Sequence, residues 1–263
     1  MTMKHSLDFS LRGKVAIVTG ASGDLGFAMA QALGLAGACV VLSSRNRVKL
    51  EDARERIGID KKNILTQEVD VTKPRQVKLL VRKTIESFGR LDVLVTAAGV
   101  QMRKPAIDFA PREWERVLKV NLSGTFFCCQ EAAKQMVSSG GGRIILISSL
   151  TAEIGLPNMA PYVASRGAIR QLTKALAVEW ASKGVTVNSI GPGRFRTHMT
   201  EELFASEKIR ESFISLIPMG RAGIASDLSG LTVFLASDHS KYLTGQSIYV
   251  DGGWLASGGN PLG

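Results

Sequence analysis

Seven short apolar, β-branched runs, at 15–19, 39–43, 64–69, 93–96, 144–147, 185–190 and 247–250, alternate with longer segments of helical periodicity. The helical segments lie at 25–36, 48–57, 74–88, 113–138, 162–182 and 227–236. A strand followed by such a segment does not turn back as a hairpin, so successive strands run parallel through crossover helices. The apolar runs are continuous rather than alternating, as expected when helices cover both faces of a sheet. The expected fold is therefore α/β: a doubly wound parallel sheet of about seven strands, a Rossmann-type fold, in one domain spanning 1–263. A helical insertion is expected over about 194–217. The insertion, helical over 200–216, interrupts the alternation before the last strand and forms either a lid or a surface excursion.

Composition narrows the class. No apolar run approaches the roughly 20 residues that span a bilayer, and the opening MTMKHSLDFSLRGK lacks the apolar stretch of a signal peptide. Cys39 falls in a strand run, while Cys128 and Cys129 are adjacent in a helical segment. Three such cysteines make no disulfide framework and read as buried thiols. A cytoplasmic protein with no membrane partner is expected. The net charge is +10, yet the basic residues are scattered, with clusters only at 45–49 and at Lys61-Lys62. Without aromatic–basic interleaving or a DNA-binding motif, no nucleic-acid partner is expected, and the charge favours anionic cofactors and substrates. His5, His198 and His239 show no metal-ligand spacing, so no metal is expected.

The first strand runs into Gly20-Ala21-Ser22-Gly23-Asp24-Leu25-Gly26 and then a helix. Glycines permit a tight turn and close backbone approach to a pyrophosphate, and the helix N-terminus offers unpaired N–H groups. Asp24 opposes this reading if its carboxylate caps the helix and competes with phosphate, and is neutral to it if the side chain turns outward. At the end of the second strand, Ser44, Arg45 and Asn46 stand where an acid would bind a ribose diol. An arginine there accommodates a 2′-phosphate, so NADP(H) is expected in preference to NAD(H). Asp70 and Val71, after the third strand, are placed to flank the adenine.

The run Tyr162-Val163-Ala164-Ser165-Arg166 puts a phenol and a cation four residues apart, on one helix face. A free tyrosine ionises near pH 10, too high for a base at neutral pH, and a neighbouring cation favours its ionised form. Ser149 ends the strand run at 144–147. A hydroxyl, a phenol and a cation in this order suit proton transfer to a carbonyl or alcohol oxygen.

With these pieces assembled, the chain resembles the short-chain dehydrogenase/reductase family over almost its whole length. The matching features lie in the family's order: Thr19 to Gly26, Asp70, Ala98-Gly99, Asn121, Ser149, Tyr162, Asn188, Pro192-Gly193, Thr197 and Tyr249-Val250-Asp251-Gly252-Gly253. Around Gln101, Arg103 and Phe109 it is most similar to the gluconate 5-dehydrogenase and sugar-acid branch. The resemblance implies that Tyr162 is the acid/base, that Ser149 hydrogen-bonds the reacting oxygen and that Asn121 holds a water in a proton relay. Arg166 would bind the nicotinamide ribose and lower the tyrosine pKa. Thr197, after Pro192-Gly193, would contact the carboxamide or phosphates, and Ala97, Ala98 and Gly99 would line the adenosine side. The resemblance also implies a cofactor half over about 12–140 and a substrate and catalytic half over about 141–257. It also implies a homotetramer or homodimer built on the helices at 113–138 and 162–182 and on the C-terminal segment. Phe126, Phe127 and Trp180 suit that interface or the core equally.

Three positions depart from the family pattern. Arg166 stands in place of lysine, Asp24 in place of the loop's middle glycine, and Thr96-Ala97 in place of Asn-Asn. Guanidinium keeps the charge but does not release a proton in proteins, so reduced turnover is expected. The lost amides at 96 and 97 are expected to weaken strand-to-strand bonding. The leading expectation is an NAD(P)(H)-dependent oxidoreductase acting on a secondary alcohol or ketone, with Arg103 either clamping a substrate carboxylate or solvated. The alternatives are a 3-oxoacyl (acyl-carrier) reductase and a weak or silent nucleotide-binding protein.

Overall fold

A computed structural model describes residues 8–201 and 206–258. Seven strands form one parallel sheet: β1 (Val15–Thr19), β2 (Cys39–Ser44), β3 (Ile64–Glu68), β4 (Val93–Thr96), β5 (Gly142–Ile147), β6 (Val185–Pro192) and β7 (Ser247–Val250). Their order in the sheet is β3-β2-β1-β4-β5-β6-β7. The chain winds outward from β1 to β3, returns to β4 beside β1, and winds outward the other way to β7. Every pairing is parallel, as in Ala16 with Val40 on one side of β1 and Ala16 with Val93 on the other.

Helices cover both faces. They are α1 (Asp24–Leu35), α2 (Arg47–Arg56), α3 (Pro74–Phe88), α4 (Pro111–Leu118), α5 (Thr125–Ser138), α6 (Ala160–Trp180), α7 (Glu207–Ile214) and α8 (Ser229–Ala236). Alternate strand residues feed opposite cores. Ala16, Val18, Ile145 and Ile147 pack with Met29 and Leu33 of α1 and Leu235 of α8. Ile17, Ile144 and Leu146 pack with Leu80 of α3, Met136 of α5 and Ile169 of α6. At roughly 1.5–3 kcal/mol for each large apolar side chain buried, these two layers dominate the fold's stability. Cys128 and Cys129 belong to the second core, and burial alone pushes the Cys128 thiol up to about 12. Trp180 is buried there too, which assigns it to the core.

The segment expected as one helix over 113–138 begins earlier and is divided. A π-helical turn, Lys119–Gly124, separates α4 from α5. Asn121, fully buried within it, bonds both ways to the Val100 backbone. Gly124 meets Val71 so closely that a Cβ there would lie 2.6 Å from the valine Cγ2. These two contacts demand a wider turn, and tertiary packing outweighs helical regularity here. The weakened bonding expected at Thr96-Ala97 is compensated. Ala97 N–H donates to Thr19 O at 3.2 Å, and Ala98 N–H donates to the Thr19 hydroxyl. The segment expected to be helical over 200–216 contains α7; its part at 202–205 lies outside the described residues. Beyond α7 the chain is anchored by Ile217, which packs against Leu150 and Trp254.

After β1 the chain turns at Gly20, whose φ of +69° belongs to the left-handed region. A Cβ at Gly20 would lie 2.7 Å from the Ala97 backbone, and one at Gly26 would collide with the Gly20 carbonyl oxygen. Both obstacles are backbone and do not swing aside. Gly26→Ala is expected to destabilise the protein by about 2–3 kcal/mol, read from its urea midpoint. A wild-type midpoint would mean that the turn yields more easily than its packing indicates.

Candidate active site

The reversal of winding between β1 and β4 opens a crevice at the carboxyl ends of the strands. It forms a cleft of about 910 Å³. Ser44, Arg45, Asn46, Asp70 and Val71 line one end, and Gly20, Ser22, Gly23, Asp24, Leu25 and Gly26 line the loop into α1. Ala97, Ala98 and Gly99 line its wall, followed by Ser149, Tyr162 and Arg166, then Pro192, Gly193 and Thr197, with Arg103 at the far end. Asn121 does not line the cleft but lies behind it.

The loop end is built to leave N–H groups available. Gly23 precedes α1 without a side-chain cap, so the first-turn donors of the helix have no partner within it. Asp24 does not fold back to fill that role. Its Oδ2 instead accepts the backbone N–H of His198 at 2.7 Å, tying the phosphate-type loop to the segment after β6. Thr197 bonds within that segment, its N–H donating to the Thr200 hydroxyl at 3.0 Å.

Beyond β2, Asn46 caps α2 by accepting the Lys49 N–H, which leaves Arg45 and Lys49 as the cations of this end. Burial pushes the Asp70 carboxyl up. The backbone and hydroxyl donors of Thr72, with the fields of Arg45 and Lys73, outweigh it and hold the group below the usual carboxylate range. Asp70 therefore stays ionised and fixes the turn after β3, its Oδ1 accepting both Thr72 donors at 3.0 and 2.8 Å.

At the centre, the Arg166 guanidinium carbon lies 4.9 Å from the centroid of the Tyr162 ring, in a cation–π arrangement. Nη1 donates to the Ile147 carbonyl at 2.7 Å, and Nη2 fills the space where a Cβ at Gly99 would sit, 2.6 Å away. Arg166 is only 6% exposed, and its Nε has no partner among the described residues. Ser149 accepts the Thr151 N–H at its hydroxyl, which fixes the oxygen's position and leaves its proton free to donate. The Asn121 amide donates to Val100 O and the Ser165 hydroxyl and accepts from Val100 N–H. These bonds hold the β4–α4 connection against α6.

Lys49, Thr151, Arg194 and His198 also line the cleft, and none of them was assigned a role from the sequence. Lys49 follows the Asn46 cap signal, and Arg194 follows Pro192-Gly193 directly, so both stood next to recognised features. Thr151 and His198 carried no local signal. The buried Thr151 hydroxyl also has no partner among the described residues. Among the described residues, no three His, Cys, Asp or Glu side chains gather as metal donors, and no helix is long and apolar enough to cross a membrane.

The cleft has the position and shape of a dinucleotide site, with a phenol, a hydroxyl and a cation on one wall. Residues 20–255 match the family model described as enoyl-(acyl carrier protein) reductase. The chain belongs to the short-chain dehydrogenase/reductase family and is a nicotinamide-dependent oxidoreductase acting on CH–OH groups. It is 37% identical to a gluconate 5-dehydrogenase of Gluconobacter oxydans, over 97% of this chain and all of that one. It is 36% identical to a 3-oxoacyl-[acyl-carrier-protein] reductase of Staphylococcus aureus, over 91% of this chain and 97% of that one. The crystal structure of a gluconate 5-dehydrogenase from Burkholderia cenocepacia, in complex with NADP and tartrate, superposes with a TM-score of 0.88 at 34% identity, covering 95% of this chain and 98% of that one.

Asp24 places a negative charge beside the donors at the start of α1. Asp24→Gly is expected to tighten NADPH binding about tenfold, with a smaller gain at high salt. Fluorescence titration of the reduced nicotinamide at two ionic strengths measures this, and an unchanged dissociation constant would show that Asp24 bears on His198 alone.

Proposed function

We propose that the protein interconverts the alcohol and ketone forms of a sugar acid, using NADP(H) in preference to NAD(H). The observation that carries this reading is a single cleft that holds Ser149, Tyr162 and Arg166 together with Arg103. The relatives named for gluconate support the same substrate class. Arg103 is exposed at the far end of the cleft, where a guanidinium can grip a carboxylate bidentately. The side-chain oxygen of Gln101, correctly oriented, accepts from Arg103 Nε at 2.7 Å and steadies it.

A bound nicotinamide cofactor supplies or accepts the hydride. The residues present suit it: the open donors of α1 would hold the pyrophosphate, and Arg45 with Lys49 would hold a 2′-phosphate. The partnerless Arg166 Nε, nine-tenths buried on the cleft wall, matches a ribose hydroxyl. Ala98, Gly99, Pro192, Gly193 and Thr197 would border the rest.

In this reading Tyr162 gives its phenolic proton to the oxygen during reduction and takes it back during oxidation. Ser149 donates a hydrogen bond to the same oxygen. Arg166 lies against the ring and supports the ionised phenol from its face, with Nη1 anchored to the Ile147 carbonyl. Thr151 offers its unpaired hydroxyl to a substrate hydroxyl. Asn121 positions Ser165 and the strand end and does not touch substrate.

The protein is further proposed to work in the cytoplasm as a homotetramer or homodimer. Exposed Trp114 on α4 and Val178 on α6 support a subunit contact on that side. The parts expected as a cofactor half, a substrate half and a lid over about 194–217 are read as one functional domain, with Phe213 of α7 lining the cleft.

The decisive assay is NADPH-dependent reduction of 5-keto-D-gluconate, run beside a 3-oxoacyl thioester. Turnover of the sugar acid sustains the proposal, and turnover of the thioester alone transfers it to the acyl reductase reading. Tyr162→Phe is expected to lower kcat by about 10³-fold while NADPH binding persists. Arg45→Gln is expected to weaken NADPH about 10–100-fold and leave NADH within a factor of two, the loss of one charge-assisted contact. Arg166→Lys is expected to raise kcat, and an unchanged kcat would show that arginine does not limit turnover.

A further inference from the structure

Arg194 is half-buried at the substrate end of the cleft. Its Nη1 donates to Phe213 O at 2.8 Å, and its guanidinium lies 4.6 Å from the Phe213 ring centroid and 5.7 Å from that of Trp254. A guanidinium has five N–H donors, and among the described residues this carbonyl is the one hydrogen-bond acceptor Arg194 reaches. Neither Arg194 nor Arg103 pairs with a carboxylate among the described residues. The two carboxylates that line the cleft are engaged elsewhere, Asp24 with His198 N–H and Asp70 with Thr72.

Burial, and after it the like charge of Arg103, hold Arg194 below the usual guanidinium range. Two cations thus bear on one end of the cleft, where no carboxylate among the described residues pairs with either. The bond to the Phe213 carbonyl and the nearby rings of Phe213 and Trp254 restrain the Arg194 fork, so its remaining donors are held in place before anything binds.

Resting on the sugar-acid reading, we propose that Arg194 is a second anion-binding residue of the substrate pocket and that the substrate carboxylate is held between Arg194 and Arg103. The pair then selects against neutral sugars as well as for acids. A neutral ligand leaves the half-buried Arg194 without a counter-charge beside the like charge of Arg103, whereas a carboxylate satisfies both.

The test compares 5-keto-D-gluconate with L-sorbose, its counterpart with a hydroxymethyl group in place of the carboxylate. Arg194→Met, Arg103→Met and the double variant are assayed with NADPH, and Arg194→Lys is carried alongside should the methionine variant fold poorly. For Arg194→Met, KM for the keto acid is expected to rise about 30-fold with kcat within about threefold, the signature of lost ground-state binding to a charged partner. Catalytic efficiency with L-sorbose is expected to hold or rise. The double variant is expected to lose less than the product of the single losses, because both residues hold one group.

An equal loss on acid and neutral substrates would overturn the inference, since it marks a packing role for Arg194 against Phe213 and Trp254. So would an unchanged KM for the acid. Calorimetric titration of tartrate into the NADP-loaded protein separates this inference from the sugar-acid reading. Tartrate binding that is lost in Arg194→Met, without sugar-acid turnover by wild type, would sustain the anion clamp and end the sugar-acid reading. Sugar-acid turnover with tartrate and keto-acid binding indifferent to Arg194 would do the reverse, and neither turnover nor tartrate binding would end both.

Discussion

Parallel pairing of β1 with both β2 and β4 is the constraint on which the rest depends. A parallel sheet has every strand ending on the same side, so all the loops that carry chemistry emerge together. Because the chain winds away from β1 in two opposite directions, those loops part at one place only. The Gly20 turn, the Ala98-Gly99 connection and the Ser149 strand end all face that gap. The glycine packing at the turn, with Gly20 against the Ala97 backbone and Gly26 against Gly20, brings α1 close enough for its N-terminus to close one wall.

The centre of the cleft is organised by a chain of contacts that starts behind it. The π-helical turn carries Asn121, which binds the Val100 backbone and the Ser165 hydroxyl. That ties the β4 strand end to α6, the helix bearing Tyr162 and Arg166. Arg166 is then tied to β5 through Ile147, and Ser148 of the same strand end donates to the Arg166 carbonyl. Tyr162 is therefore held between two strand ends by the buried hydrogen bonds of Asn121, Ser148 and Arg166 Nη1, a rigid arrangement suited to proton transfer at a fixed distance. The substrate end is different in kind. It is bounded by α7 and the segment after β6, and its polar groups, Arg103, Arg194 and Thr151, retain unused hydrogen-bonding capacity.

The fold and the line of the cleft could be read in the sequence because both rest on local signals. Apolar runs at 15–19 and 39–43, a glycine-rich turn between strand and helix, and a phenol and cation four residues apart each encode their own geometry over a few residues. The π-helical turn was not visible, since Asn121 and Gly124 look like ordinary interruptions until Val100 and Val71 are beside them. Likewise Asp24 offered a choice between capping its helix and turning away. Its actual partner, the His198 backbone, lies far along the chain and belongs to no local pattern.

The sequence by itself determined the parallel α/β architecture, the nucleotide-type turn, the order of Ser149, Tyr162 and Arg166, and the absence of an acid after β2. Periodicity, turn chemistry and short spacings act within one or two elements, so a single chain read in order suffices. Tertiary structure alone decided that the Arg166 guanidinium lies on the Tyr162 ring and donates to Ile147, and that Asp24 bridges to His198. It alone decided that Arg194 lies near the rings of Phe213 and Trp254, lining the same cleft as Arg103. Those outcomes depend on which distant backbone donors and acceptors packing leaves within hydrogen-bonding reach, a matter of three-dimensional distance that no spacing along the chain encodes.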